Sequence, residues 1–237
     1  MNTNAIFEKL QEQWRIMEQT FTDMRAAWAE MGKHLEEAAT IESEPLTREQ
    51  VIEKAKHFVS DDNLHNLVGS PLPESRGYFW PYTNSGVYYG EHRTKGQCHD
   101  VVFMVNRTKR TVVALIKLCD EIRARGIAKC MQGDVFNVHI GMAIALAKAL
   151  GKEIPTEFVN APQPDAPQVR DVVEVITGFI KGQQMTLIGK APKYDSHMVG
   201  TAFRHTYDSG WLGSKQIKVI DDSRDGRYND GMYTVGA

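Results

Sequence analysis

The chain has 237 residues, 42% of them apolar and 24% charged, with a formal net charge of −2. That make-up belongs to a folded protein with a sizeable core and excludes a disordered or collagen-like chain. The near-zero balance excludes a global attraction for polyanions, yet the charge is uneven. Residues 1–45 carry nine acids against four Lys/Arg, net −5, and residues 76–129 carry ten Lys/Arg against four acids, net +6. Two readings follow: surface solvation with attraction between subunits, or an anion-binding surface in the middle of the chain. Cys98, Cys119 and Cys130 form no CxxC pair, so neither a disulfide framework nor a zinc site is expected. No apolar run reaches the length of a membrane span, and the first thirty residues are charged and amphipathic rather than signal-like. A cytoplasmic protein without a membrane partner is the expectation.

Phe7, Leu10, Trp14, Met17, Phe21, Met24, Trp28, Met31 and Leu35 alternate in spacings of three and four, an a/d seam that predicts a long coiled-coil-like helix over about residues 4–37. So long an apolar stripe implies a homo-oligomer formed through this helix, or a helix folded back along the body. Pro45 ends a linker, and Thr47-Arg48-Glu49-Gln50 fits a capping box. The helix it opens, over 48–59, places Val51, Ile52, Ala55, Phe58 and Val59 on one face, and Ser60-Asp61-Asp62-Asn63 stops it. Residues 69–98 are irregular and rich in aromatics, among them Tyr78, Phe79, Trp80, Tyr82, Tyr88 and Tyr89. They read either as a satellite core or as a pocket that stacks a base, with Arg76, Arg93 and Lys95 for phosphate.

The centre of the chain predicts a small antiparallel sheet with a packed helix. Val101–Val105 and Thr111–Ile116 are strand-like runs around the basic loop Asn106–Arg110, and Gly126–Cys130 adds a third. Gly133-Asp134 offers a turn and an N-cap for a helix over 135–150, closed by Gly151. Ala161–Pro167 is a stiff Pro-rich linker. Four to five short β-like runs beyond it (169–176, 184–188, 197–203 and 216–220) predict a small SH3-like β-barrel, and residues from 225 onward read as a loose tail. The fold expected is therefore α+β, in five parts: a helix over 1–40, an α+β module over 41–158, a linker over 159–168, a barrel over 169–224 and a tail.

No P-loop, GxGxxG, HExxH or GxSxG is present, so no catalytic residue, metal or cofactor is assigned. The pairs Asp61-Asp62 and Asp221-Asp222 read as solvated turns. Arg107, Lys109 and Arg110 project together from the hairpin tip, and Arg grips phosphate with a bidentate fork. With Asp134 as N-cap, the amides of Phe136 and Asn137 would lie near a helix N-terminus, which favours anions. The candidate ligand-binding set, for phosphate and base, is Arg107, Lys109, Arg110, Lys129, Phe136, Asn137, Arg93 and Tyr82.

The segments NRTKRTVVALIK and RGIAKCMQGDVFNVHIGMAIALAKALG, after a TREQVIEKAKHFV-type helix, resemble a group of small proteins of phages and prophages of Gram-positive bacteria. The likeness spans roughly residues 47–151. The long helix, β core and basic, aromatic middle are also similar in architecture to phage anti-defence sponges, the Thoeris and CBASS antagonists. That likeness implies an oligomer in a bacterial host cell that sequesters a nucleotide immune signal, or blocks a host defence protein, without catalysis. The residues leave two other readings open: a nucleic-acid-binding protein, or a structural and assembly protein.

Overall fold

A computed structural model of the chain describes residues 3–40, 45–81, 98–191, 201–207 and 210–234. They divide into two units, residues 1–45 and 46–237. The seam residues lie on a single uninterrupted helix, α1 (Thr3–Thr40, 38 residues), about 57 Å long at 1.5 Å per residue. Good helix formers dominate it, and Gly32, the weakest former in the run, is tolerated without a break. Local pairs such as Arg15–Glu12 (3.1 Å) and Gln19–Asp23 (2.9 Å) line its polar faces.

In the second unit the capping box is realised: the Thr47 amide donates to Gln50 Oε1 (2.8 Å) and the Gln50 amide to Thr47 Oγ1 (3.3 Å). Helix α2 (Arg48–Phe58) buries Val51, Ile52 and Ala55. The polar run after it does not simply stop the chain. Ser60 caps a further short helix, α3 (Asp61–Asn66), because a Ser ahead of two acids is itself a helix-start signal. Two-residue strands β1 (Ser70–Pro71) and β2 (Tyr78–Phe79) pair beyond it, and Phe79 is fully buried. The aromatics Tyr82, Tyr88 and Tyr89 lie outside the described residues.

The central hairpin is as expected: β3 (His99–Asn106) and β4 (Thr111–Leu118) pair from His99↔Leu118 to Asn106↔Thr111. The third strand, β5 (Glu121–Lys129), starts earlier than its apolar part, because Cys119 adopts φ +55° and turns the chain within two residues. The expected loose tail is corrected. Gly231–Thr234 forms β11, which pairs with β3 and gives the sheet order β11-β3-β4-β5.

Helix α4 (Val138–Ala149) crosses this sheet. Met142, Ala145, Leu146 and Ala149 pack with Phe103, Val112, Ala114 and Ile116 on one side. Ile140 and Ala143 pack with Val51, Ile52, Ala55 and Phe158 on the other. Covered on both sides, α4 is apolar nearly all round. Two glycines permit the close approach. A Cβ on Gly126 would overlap the backbone of Ala145 and Ala149, and one on Gly141 would lie 2.7 Å from Val112 Cγ2. The short helix α5 (Thr156–Val159) follows, and Phe158 meets Phe58 edge-on, centroids 5.7 Å apart.

Strands β6 (Val172–Val175), β7 (Gln184–Lys190), β8 (Ala202–His205), β9 (Trp211–Gly213) and β10 (Ile217–Asp221) form one antiparallel sheet of order β10-β6-β7-β8-β9. This corrects the expected barrel. A 3₁₀ turn (Ser214–Gln216) joins β9 to β10, the two edges of the sheet, and no ladder closes them among the described residues. Val173, Val175, Leu187, Phe203, Leu212 and Val219 form its core. Nor does this sheet stand apart as a domain, since residues 46–237 cluster as one unit. Among the described residues no helix is long and apolar enough to cross a membrane.

Candidate functional site

The approach to α4 departs most from expectation. Asp134 is not the N-cap; Asn137 is, its Oδ1 accepting from the amides of His139 (3.0 Å) and Ile140 (3.2 Å). Residues 135–137 are drawn instead alongside β10. The Phe136 amide donates to Ile220 O (3.0 Å) and the Asp222 amide to Phe136 O (3.1 Å). Ser223 Oγ accepts from the Val138 amide (2.8 Å). The first amides of α4 are thus taken by the protein, and its N-terminus offers no anion site.

Behind that junction lies a buried charge network. Asp222, read as solvated, is 2% exposed and receives Arg48 Nε (2.5 Å), Arg48 Nη2 (2.9 Å) and the Asn137 side-chain amide (3.0 Å). Arg48 also donates to Pro162 O (2.7 Å) and Val135 O (3.0 Å). Next along, Arg107 pairs with Asp221 (2.8 Å) and donates to Tyr228 O and Asp225 O (2.8 Å each). Arg224 pairs with the fully buried Asp171 (2.6 Å), whose carboxyl is raised above its ordinary pKa by burial. Each ion is paired, as burial of charge demands.

In front of the junction is a half-open cavity of about 300 Å³ between the end of β5, the face of α4 and α5. Ile140, Ile144 and Phe158 supply apolar wall, Arg48 and Asn137 reach it from the network, and Lys129 and Lys148 are exposed cations in its lining. The Lys148 ammonium is anchored on Ile127 O (3.0 Å). Asp134 is an acid in the same lining, its carboxylate engaged by the Gln163 amide at 3.4 Å. A shallower depression shares Lys129, Cys130 and Met131 with the cavity and adds Lys109 and Arg110. Arg110, at φ +52°, points Nη2 at Cys130 Sγ (3.0 Å) and Asp134 O. Its Nε is buried without a hydrogen-bond partner.

Five of the eight expected residues therefore come together: Lys109, Arg110, Lys129, Phe136 and Asn137. Arg107 is not brought to the cavity; its guanidinium is engaged by Asp221 and two carbonyls. Arg93 and Tyr82 lie outside the described residues. Sequence reasoning missed Arg48, Lys148 and the apolar wall of Ile144 and Phe158. Only the excess of apolar residues round α4, more than one sheet face can cover, hinted at that wall.

Burial pushes the Cys130 thiol up despite the neighbouring Arg110, so it stays protonated and weakly nucleophilic near neutrality. His139 is buried on α4, 3.6 Å from Asp225 and edge-on to Tyr228. Burial brings its pKa down to about 4, so the ring is neutral. Among the described residues no group of three or more His, Cys, Asp or Glu is placed to hold a metal ion. No protein-family model, curated protein sequence or solved structure matches the chain.

Proposed function

We propose that the protein is a non-catalytic binding protein that captures a small anionic ligand with an apolar or aromatic body, of the size of a nucleotide, in the cavity between β5, α4 and α5. The observation that carries this reading is the pairing of apolar wall (Ile140, Ile144, Phe158) with exposed cations (Lys129, Lys148) in one cavity of about 300 Å³. Ligand pockets begin at about that volume, and their polar groups are few and convergent. The nearby exposed Lys109 extends positive charge outward beside the mouth, where a phosphate or a second anionic group would sit. The resemblance over residues 47–151 adds a phage origin, and the architectural likeness to anti-defence sponges adds the biological setting, sequestration of a nucleotide signal in a phage-infected bacterium.

Calorimetric titration with linear and cyclic adenosine and guanosine monophosphates tests the reading, beside mass spectrometry of any small molecule released on denaturing the purified chain. Binding that Ile144→Trp blocks by filling the cavity, and that Lys129→Glu weakens at least tenfold, is the expected result. No binding of any of these, with nothing released, overturns it. Affinity only for polynucleotides, falling steeply with salt as counterions are released, would favour a nucleic-acid surface along Lys109, Arg110 and Lys129 instead.

A further inference from the structure

The apolar stripe of α1 remains unexplained by any ligand cavity. Every described side chain along residues 11–32 is exposed, including Trp14 at 66% and Trp28 at 71%. Two tryptophans, Phe21 and three methionines in water, in heptad register, carry a large unrealised burial free energy. We propose that α1 pairs with α1 of a second copy of this chain as an antiparallel two-stranded coiled coil, centred between residues 22 and 23.

The order of the seam residues selects the antiparallel direction. The a positions 14, 21 and 28 are Trp, Phe and Trp, and the d positions 17, 24 and 31 are all Met. Reversing one helix sets each a beside the partner's d. One two-fold axis then brings Trp14 against the partner's Met31, Phe21 against the partner's Met24, and Trp28 against the partner's Met17. Each of these layers holds one rigid aromatic and one flexible thioether, so the volumes are even along the seam from residue 14 to residue 31 and each of these sulfurs meets an aromatic ring, a favourable contact. A parallel, in-register pair would instead stack Trp on Trp and Phe on Phe, overfilling those layers, and Met on Met between them.

The flanking charges agree. Antiparallel pairing lines e positions up with the partner's e positions, so Glu18 falls beside the partner's Arg25, and by symmetry Arg25 beside the partner's Glu18. In a parallel pair Glu18 would face Gln13 and Arg25 would face Thr20, with no charge matched. The two helix dipoles also oppose each other head to tail in the antiparallel form. This inference is independent of the ligand reading, and either can fail alone.

Sedimentation equilibrium of the full chain, with a protomer of 26.7 kDa, is expected to give a dimer. Glu18→Arg and Arg25→Glu each set like charges together and weaken dimerisation about tenfold, and the double reversal restores it. Orientation is read by mixing Gln11→Cys and Gly32→Cys chains with a short bis-maleimide and mapping the linked peptides. The antiparallel pair sets these positions opposite each other, whereas a parallel pair holds them roughly 30 Å apart. A monomer, an oligomer larger than two, charge reversals without effect, or a dimer lacking the linkage between positions 11 and 32 overturns the proposal.

Discussion

Two charged segments, the hairpin tip at residues 107–110 and the turn at residues 221–225, meet in the ion pair of Arg107 with Asp221, and they have opposite surroundings. At 221–225 the apolar elements close over the charges: Asp221, Asp222 and Ser223 are buried, and Asp221 and Asp222 are matched to Arg107 and Arg48 from distant parts of the chain, while Asp225 pairs with Arg227 two residues on. At the tip only Arg107 is drawn into that network, while Lys109 stays exposed and Arg110 turns toward the cavity side. Charge in a sequence therefore has two fates. A charge enclosed by packed elements holds the fold together, and one left at a concave rim is available to a ligand. What separates them is how completely neighbouring elements exclude water, not the residue type or its local spacing.

The largest test of that division is Asp222→Ala. It leaves the Arg48 guanidinium buried with two carbonyls and no counter-charge, and is expected to cost about 3–5 kcal/mol in urea unfolding. The double replacement Arg48→Met with Asp222→Leu is expected to recover most of the loss, since apolar pairs of similar size often substitute for a buried ion pair. A loss under 1 kcal/mol for Asp222→Ala would break the comparison.

Next comes pH. The unfolded His139 imidazole takes up its proton near 6.5, the folded one only near 4. Between those values the unfolded state binds more protons, so stability falls as the pH drops through the window, by about 3 kcal/mol in all. Asp225, held down at about 2 by Arg227, adds a loss in the same direction only below its unfolded value of 3.8. Asp171, raised by burial, acts oppositely and above 3.8, where the folded carboxyl holds its proton to higher pH than the unfolded one and stability is gained as the pH falls. His139→Leu is expected to flatten the 6.5-to-4 window measured by urea midpoints.

Local signals in the chain were legible where the cause was local. The heptads of α1, the Thr47/Gln50 box, the β3–β4 hairpin and its register all follow from residues within a few positions of each other. The start of α4 was not, because Asp134 and Asn137 are both good caps, and the choice was made by β10 pairing with Phe136 from 85 residues away. The same distance hid the site. Lys109, Arg110 and Lys129 stand out as basic residues, but the wall that makes them a cavity comes from Ile144 and Phe158, which read simply as core. Asp222 looked solvated for the same reason, since its partner Arg48 lies 174 positions away. Edge strand β11 was hidden by its Gly/Asp-rich flanks, which signal a tail, while Met232 and Tyr233 alone carry the strand character.

The smallest effects decide whether the rim differs in kind from the network. Arg107→Ala removes a half-buried ion pair and two carbonyl acceptors' partner, and is expected to cost about 1–3 kcal/mol while leaving ligand affinity unchanged. Lys129→Glu, on the exposed rim, is expected to move stability by no more than about 0.5 kcal/mol, yet to abolish most affinity for an anion such as adenosine monophosphate. Urea midpoints and calorimetric titration on the same two variants give the four numbers needed. If Arg107→Ala proves neutral for folding and damaging for binding, the hairpin tip belongs to the ligand after all, and its contacts with Asp221 and Tyr228 are incidental. If instead the two variants separate cleanly, fold and binding use different cations drawn from the same basic stretch. Arg107 is spent because Asp221 and two carbonyls enclose it, and Lys129 is free because the β5 end opens on the cavity.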